Sequence, residues 1–226
     1  MNNILPLISG IAWTITYSAL VYRGFKDKIP GMPLAALCLN FAWETTFAYI
    51  YPPAGSLMTT VINAVWMILD IGIVVSMIKF GPRDYGKRFG ISKNIFYLML
   101  VIGMVVSFGI MVTGAKYFVG LPSFHQNTFE VAKFIAFTQN LIMSILFLSQ
   151  FYQRKQVDNP IKGQSFTIAI TKCIGTGLTV GIAAAFRDST GFMAVLIVPT
   201  IICDFWYIGV IYRELRAQGI NPLRRF

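Results

Sequence analysis

Seven apolar stretches, separated by short loops, occupy most of this 226-residue chain. They cover approximately residues 5–22, 32–51, 57–79, 95–113, 133–151, 164–186 and 192–212. A helix needs about 20 apolar residues to cross about 30 Å of hydrocarbon, and each stretch is near that length. The pattern predicts an all-α polytopic membrane protein, in which residues 1–226 form one domain with a bundle of seven transmembrane helices.

The composition excludes a water-soluble domain. Hydrophobic residues make up 56% of the chain and charged residues only 12%, with a mean hydropathy of +0.65, so an ordinary polar surface cannot be built. The formal net charge of +10 would suggest nucleic-acid binding in a soluble protein. Here the basic residues lie in short loops between apolar segments, which is typical of membrane orientation, and we expect no nucleic-acid partner.

The basic residues also predict how the bundle is oriented. Most of the 19 lysines and arginines follow the first, third and fifth segments or lie in the tail, whereas the opposite loops hold only Lys116, Lys133 and Arg187. The positive-inside rule therefore places the N-terminus outside or in a lumen and the C-terminus in the cytoplasm. Gly81 and Pro82 are expected to interrupt the chain in a cytoplasmic loop. The compact loops fit a bacterial inner membrane or an endoplasmic reticulum.

A carboxyl group lies inside the second apolar segment, within the stretch Asn40 to Phe47, which reads NFAWETTF. Insertion scales assign an acidic residue at a helix centre a cost of about 2.5–3.5 kcal/mol, so some compensation is required. At helical spacing Asn40, Glu44 and Phe47 share one face, with Trp43 beside them. We expect this face to point into the protein and away from lipid.

Further polar residues lie in the other apolar segments. Asp70 and Asn63 are in the third, Lys172 is in the sixth and Asp204 is in the seventh. With a rise of about 1.5 Å per residue, Glu44 and Asp204 come to similar depths, and we expect both to face a common cavity near the middle of the membrane. Asp70 and Lys172 lie nearer the inner ends of their helices, so they are also candidates for a buried ion pair with each other.

Aromatic rings accompany these acids. Phe205, Trp206 and Tyr207 directly follow Asp204, and Trp66 lies one turn before the acid of the third segment. Burial disfavours the charged form of a carboxyl group, so such a group can hold a proton and donate it. The face of an aromatic ring attracts cations. This combination suits a carbocation reaction on an apolar substrate, and it also suits a proton-coupled carrier of an amphipathic cation.

The residues leave a transporter as the main alternative to an enzyme. Intramembrane acids occur in proton relays, but a carrier should also have Gly- or Pro-broken helices at matching positions in two halves, and here the glycines concentrate in the fourth and sixth segments. A buried lysine also holds retinal in microbial rhodopsins, but there it lies in the last helix, whereas Lys172 is in the sixth segment. A purely structural membrane protein poorly explains three buried acids.

The motif Asn-Phe-x-Trp-Glu in the second of seven segments, together with Asp204 in the last, resembles the integral-membrane terpene cyclases of fungal meroterpenoid pathways, the pyripyropene and paxilline type, and their bacterial relatives in indole-sesquiterpenoid pathways. The resemblance covers nearly the whole chain in length and segment count. It implies that protonation of an alkene or epoxide starts a carbocation cascade in a prenyl chain attached to an aromatic or other polar head. It implies neither a cofactor nor a metal, since the aspartate-rich motifs of soluble terpene cyclases are absent from this sequence.

The same resemblance implies roles for single residues. Glu44 would be the general acid, Asp204 its hydrogen-bonded partner or the alternative donor, and Asn40 would orient Glu44. The other candidates would shape the substrate site and stabilise cations; they are Trp43, Phe47, Asn63, Trp66, Asp70, Phe205, Trp206 and Tyr207. The expected partners are a hydrophobic prenylated substrate and membrane lipid.

Overall fold

The computed structural model describes residues 4–53 and 57–226, and all regular structure in these two ranges is helical. Seven helical segments follow one another, which confirms the predicted all-α class and the number of segments. They are α1 (Ile4–Asp27), α2 (Leu34–Ile50), α3 (Leu57–Phe89), α4 (Lys93–Val119), α5 (Thr128–Val157), α6 (Phe166–Arg187) and α7 (Phe192–Ala217). All except α2 are long and apolar enough to cross a membrane, so the chain is a multi-pass membrane protein by length and composition.

Successive helices run in opposite directions, because the end of one helix and the beginning of the next lie at the same end of the bundle. Asp27, at the end of α1, accepts hydrogen bonds from the Gly163 N–H before α6 and from Arg225 in the tail, at 2.8 and 2.9 Å. We call this the basic end of the bundle; it comprises residues 27–31, 83–88, 154–164 and 225. At the opposite, aromatic end a chain of ring contacts joins α4, α5 and α7; its members are Phe118, Phe124, Phe134 and Phe192.

A buried arginine ties the basic end together. The Arg154 side chain is fully buried and donates to both carboxylate oxygens of Asp84, at 3.2 and 2.9 Å. It also donates to the backbone carbonyls of Pro30 and Lys162, so that one guanidinium holds α3, α5 and two loops. Beside it, hydrogen bonding from Lys162 holds the pKa of Asp158 well below its usual range. This end of the bundle is therefore fixed by ion pairs.

The expected loop at Gly81 and Pro82 is wrong, since α3 continues through both residues to Phe89. Proline has no N–H, which leaves the carbonyl four residues earlier without its helical partner. The hydroxyl of Tyr97 on α4 donates to that carbonyl, Ile78 O, at 3.2 Å. A Cβ at position 81 would lie 2.3 Å from the Phe96 ring, so the glycine allows α4 to pack closely there. The contact with Tyr97 thus replaces the backbone hydrogen bond that Pro82 cannot donate.

Two helices contain π-helical turns. In α2 the α-helix Leu34–Thr45 gives way to a π turn, Thr46–Ile50, which begins two residues after Glu44. In α6 the π turn Gly177–Gly181 separates two α-helical parts. Turns of this type are rare and are often found at functional sites.

The packing of α1 against α6 depends on a glycine. Ser9 donates to the Gly175 carbonyl at 2.5 Å, and the Trp13 indole N–H donates to Thr176 Oγ1 at 3.1 Å. A Cβ added to Gly175 would lie 2.7 Å from Cδ1 of the Trp13 ring, far inside contact distance. The hydrogen bonds and the missing side chain together fix the position of α1, which carries Tyr17 toward the centre of the bundle.

We expect Gly175→Ala to destabilise the protein by about 1–3 kcal/mol, because the added methyl group forces the Trp13 ring out of its position. The measurement is thermal unfolding of the purified protein in detergent. Gly109→Ala is the matched control, since a Cβ there has no heavy atom within 4 Å and alanine favours the helix. Equal unfolding temperatures for the two variants would contradict the packing described here.

Candidate active site

The side chain of Asn40 joins two carboxyl groups in the centre of the bundle. Its amide nitrogen lies 2.9 Å from Glu44 Oε1 on the same helix, 2.8 Å from Asp70 Oδ2 on α3 and 2.8 Å from the Tyr17 hydroxyl on α1. We call these four residues the Asn40 cluster. All of them are at most 4% exposed, and Glu44 and Asp70 are completely buried. The predicted shared face of Asn40 and Glu44 is confirmed by their hydrogen bond.

The cluster is acidic and has no described counter-ion. An amide has two N–H bonds, so Asn40 can hydrogen-bond to both carboxyls at once and holds their oxygens within two hydrogen-bond lengths of each other. Glu44 Oε2 and Asp70 Oδ1 have no hydrogen-bond partner among the described residues, and the described ion pairs include neither acid. Two like charges this close in a buried site repel each other, so the arrangement opposes ionisation of both acids at once.

Lys172 makes an ion pair with Asp204. Its ammonium nitrogen lies 2.5 Å from Asp204 Oδ1 and 2.5 Å from the Ser144 hydroxyl, and both charged side chains are at most 2% exposed. The predicted alternative pairing of Lys172 with Asp70 is therefore wrong. No hydrogen bond or ion pair in the described ranges joins Asp204 to Glu44, whose acidic neighbour is Asp70. The two acids that the sequence placed together thus differ in environment: one is paired with a cation, and the other is not.

Aromatic rings surround the Asn40 cluster on two sides. Trp66 meets the Tyr17 ring edge-on with centroids 6.0 Å apart, and Trp13 lies against the same ring at 5.3 Å. Trp43 and Phe47 contact each other at 5.3 Å and are buried in the core between α2, α4 and α5. Trp43, Phe47 and Trp66, which the sequence grouped with the acids, thus lie among other rings in the bundle.

Two other predicted site residues have clear packing partners. Tyr207 is buried, its hydroxyl donates to the Gln164 side-chain oxygen, and its ring meets Phe147 edge-on at 5.4 Å. Asn63 is also buried and donates to the Phe47 carbonyl at 3.4 Å, which lies in the π turn of α2. These contacts give both residues a role in holding the helices beside the acids.

Phe205 and Trp206 point away from the interior, contrary to the prediction that they line the site. Phe205 is 53% exposed and Trp206 is 57% exposed, whereas Asp204 and Tyr207 on the same helix are 1% exposed. The Trp206 indole N–H donates to the Tyr152 hydroxyl on the outer surface of the bundle at 3.0 Å. Residues one and two positions after a buried helical residue are rotated by about 100° and 200° and so face outward.

We expect Trp206→Leu to leave the rate of any reaction in this interior within about twofold of the wild type, since surface substitutions change stability by only about 0.5 kcal/mol. Phe47→Leu, which alters a buried ring next to Glu44, is the comparison variant. Activity should be measured per amount of folded protein. A greater loss for Trp206→Leu than for Phe47→Leu would show that the outer face of α7 carries the site.

The sequence reasoning missed Tyr17, Trp13 and Ser144. Trp13 and Tyr17 lie four residues apart on α1 and so share a helical face, which is a signal that was available in the sequence. Ser144 gave no such signal, because a serine in an apolar helix commonly bonds to its own backbone. Only the packing of α5 against α6 identifies it as a partner of Lys172.

Comparison with known proteins places this geometry in context. Residues 1–217 match the model of a protein family described as Pyr4-like transmembrane terpene cyclases. The Pyr4-family terpene cyclase mfmH of Annulohypoxylon moriforme is 29% identical over 174 residues, which are 76% of this chain and 65% of that protein. Terpene cyclase penB of Penicillium crustosum is 26% identical over 182 residues, 80% of this chain and 69% of that protein.

A shorter alignment has higher identity. Terpene cyclase pyr4 of Aspergillus fumigatus is 39% identical over 79 residues, which are 35% of this chain and 32% of that protein. The chain thus spans about two thirds or less of the length of these curated relatives. No solved structure matches the chain significantly.

Proposed function

Because the chain belongs to the family of Pyr4-like transmembrane terpene cyclases, we propose that it is a membrane-bound terpene cyclase that starts a carbocation cascade by protonating a prenylated substrate. The observation that carries this proposal is the Asn40 cluster, in which two buried carboxyl groups share one amide and have no described cation beside them. In this proposal one of the two acids carries a proton in an apolar interior, where it is available to a substrate dissolved in the membrane.

Glu44 is our candidate for the general acid. Its Oε2 has no hydrogen-bond partner in the described part of the chain, while Oε1 is held by Asn40. The proton passes from the carboxyl group to a terminal alkene carbon, or to the oxygen of a terminal epoxide, and a carbon cation forms. Successive double bonds of the prenyl chain attack that cation and close rings. Asn40 keeps Glu44 in place through its hydrogen bond to Oε1, and the neighbouring Asp70 carboxyl opposes a second negative charge there.

Asp204 is our candidate for the residue that ends the cascade. One of its oxygens is paired with Lys172, and its second oxygen, Oδ2, has no hydrogen-bond partner among the described residues. A carboxylate can accept the proton that the last cation releases when it forms an alkene. The two acids then have opposite tasks, set by their different environments. Since one proton is gained and one is lost, the product is an isomer of the substrate.

The aromatic residues beside the acids would stabilise the intermediate cations. A ring face attracts positive charge with a strength of about 0.5–2 kcal/mol, depending on desolvation. Trp66 contacts Tyr17 of the Asn40 cluster, and Trp43 and Phe47 lie near Glu44 in the sequence of α2 and contact each other. The distribution of basic residues among the loops supports an orientation in the membrane with the N-terminus outside or in a lumen and the C-terminus in the cytoplasm.

The proposal is tested by incubating membranes that contain the chain with linear farnesylated and geranylgeranylated aromatics and with their terminal epoxides. Chromatography coupled to mass spectrometry should detect a product of unchanged mass and new retention time. Membranes with the Trp206→Leu variant should also give it, and membranes without the chain should not. Unchanged substrate in every incubation, with folded protein present, would contradict a cyclase and favour proton-coupled uptake as the next assay.

A further inference from the structure

A groove runs along the lipid-facing side of the bundle between α1 and α3. Its volume is about 270 Å³, and its lining residues are Leu7, Gly10, Ile11, Thr14, Ile15 and Ile62. Leu7 and Ile11 are 50% and 54% exposed, so the mouth of the groove opens toward the hydrocarbon of the membrane. All of the lining is apolar apart from Thr14. Because Gly10 has no side chain, part of the groove volume lies beside its backbone.

The polar end of the groove is connected to the candidate acid. The Trp66 indole N–H donates to Thr14 Oγ1 at 3.1 Å, and the Trp66 ring lies edge-on against Tyr17. The Tyr17 hydroxyl is 2.8 Å from the Asn40 amide, which in turn holds Glu44. Trp66 therefore contacts both the lining of the groove and the Asn40 cluster.

We propose that this groove is the lateral entrance and seat for the prenyl chain of the substrate, with Trp66 as the gate between the groove and the Asn40 cluster. The inference rests on the proposed function, since it assigns a path to the substrate of the same site. Pockets that enclose a whole small ligand usually have about 300–1,000 Å³, so a groove of about 270 Å³ suits the tail of the substrate better than tail and head together.

An apolar chain fits this groove for three reasons. The lining side chains are apolar except for Thr14, and the Thr14 hydroxyl already accepts a hydrogen bond from Trp66. The mouth faces the phase in which a prenylated molecule dissolves. The far end leads, by side-chain contacts, to the group that donates the proton. A charged head group, by contrast, finds no described charged residue in the lining.

Gly10→Leu tests the entrance. A Cβ at Gly10 would lie 3.5 Å from Ile62 Cδ1, an ordinary contact, so the variant should fold while its side chain fills the groove. We expect the KM for the prenylated substrate to rise at least about tenfold, as a change of one apolar group in a pocket can produce, with kcat changed little. Gly109→Leu places the same side chain on the lipid-facing surface of α4, where Gly109 has open space, and should leave both constants unchanged.

A second measurement does not depend on turnover. A farnesylated aromatic with a photoreactive diazirine in the middle of its prenyl chain is irradiated with the purified wild-type protein, and labelled residues are identified by mass spectrometry. Labelling should concentrate on Leu7, Ile11, Ile15 and Ile62, and it should be lost in Gly10→Leu. Excess unlabelled substrate should compete more strongly than phospholipid.

The two measurements separate the possible failures. Labelling spread equally over the lipid-facing surface, including Val105 and Val106 of α4, would overturn the entrance. Equal KM values for Gly10→Leu and the wild type would overturn it as well, and would leave the cyclase proposal intact. Specific labelling of the groove without turnover of any substrate would support a prenyl-binding groove and contradict the cyclase.

Discussion

Glu44→Gln should reduce turnover at least about 100-fold while leaving the amount of folded protein in the membrane unchanged. A positioned general acid contributes about 10²–10⁴-fold to a rate, and an amide cannot supply the starting proton. Glutamine has nearly the same shape as glutamate, and its oxygen can still accept the hydrogen bond from Asn40. The measurement is product formation per folded protein, with folding followed by size-exclusion chromatography in detergent.

Glu130→Gln is the matched control for this result. Glu130 lies in the first turn of α5, its side chain is 46% exposed and it pairs with Lys133 at the surface. Exposed pairs of this kind contribute about 1 kcal/mol or less, so the control variant should keep wild-type activity. If Glu44→Gln were also fully active, the proton would have to come from another group, and the assignment of Glu44 would be wrong.

Lys172→Met should have the largest effect on stability, a loss of about 3–5 kcal/mol. The reason is that removing one partner of a buried ion pair leaves the other charge without compensation, and Asp204 is almost completely buried. Thermal unfolding in detergent measures the loss. A variant with wild-type stability would show that the two groups do not form an ionised pair.

The double variant Lys172→Met with Asp204→Asn separates stability from chemistry. It contains no buried charge at this position, so we expect it to recover a large part of the stability that Lys172→Met loses. Activity should not return with stability, because the terminating carboxylate is still missing. Recovery of both would assign the pair a structural role only.

The sequence was sufficient for the class of fold and for part of the site. Apolar segments of bilayer length can form little else than helices, since backbone groups in lipid must be satisfied within the segment. The spacing of Asn40 and Glu44 likewise requires a shared face, and their hydrogen bond confirms it. Periodicity within one helix is thus a local property that can be predicted.

Relations between helices could not be predicted in this way. Depth along a helix axis made Lys172 a partner for Asp70, but depth does not give rotation or neighbours, and Lys172 faces Asp204 on α7. Phe205 and Trp206 were assigned to the site because they flank Asp204 in the sequence, although adjacent helical residues face different directions. Pro82 was expected to end a helix, and only the contact of Tyr97 with Ile78 explains why it does not.

The most direct test of Glu44 as the proton donor is the infrared spectrum of the purified protein, because a protonated carboxyl group and a carboxylate absorb at different frequencies. The spectrum of Glu44→Gln is subtracted from that of the wild type at neutral pH, in water and in deuterium oxide. We expect a protonated-carboxyl band in the difference, shifted by deuterium, because the proposed mechanism requires a proton in the Asn40 cluster. A difference that contains only carboxylate bands would contradict it, since an ionised Glu44 cannot start the cascade.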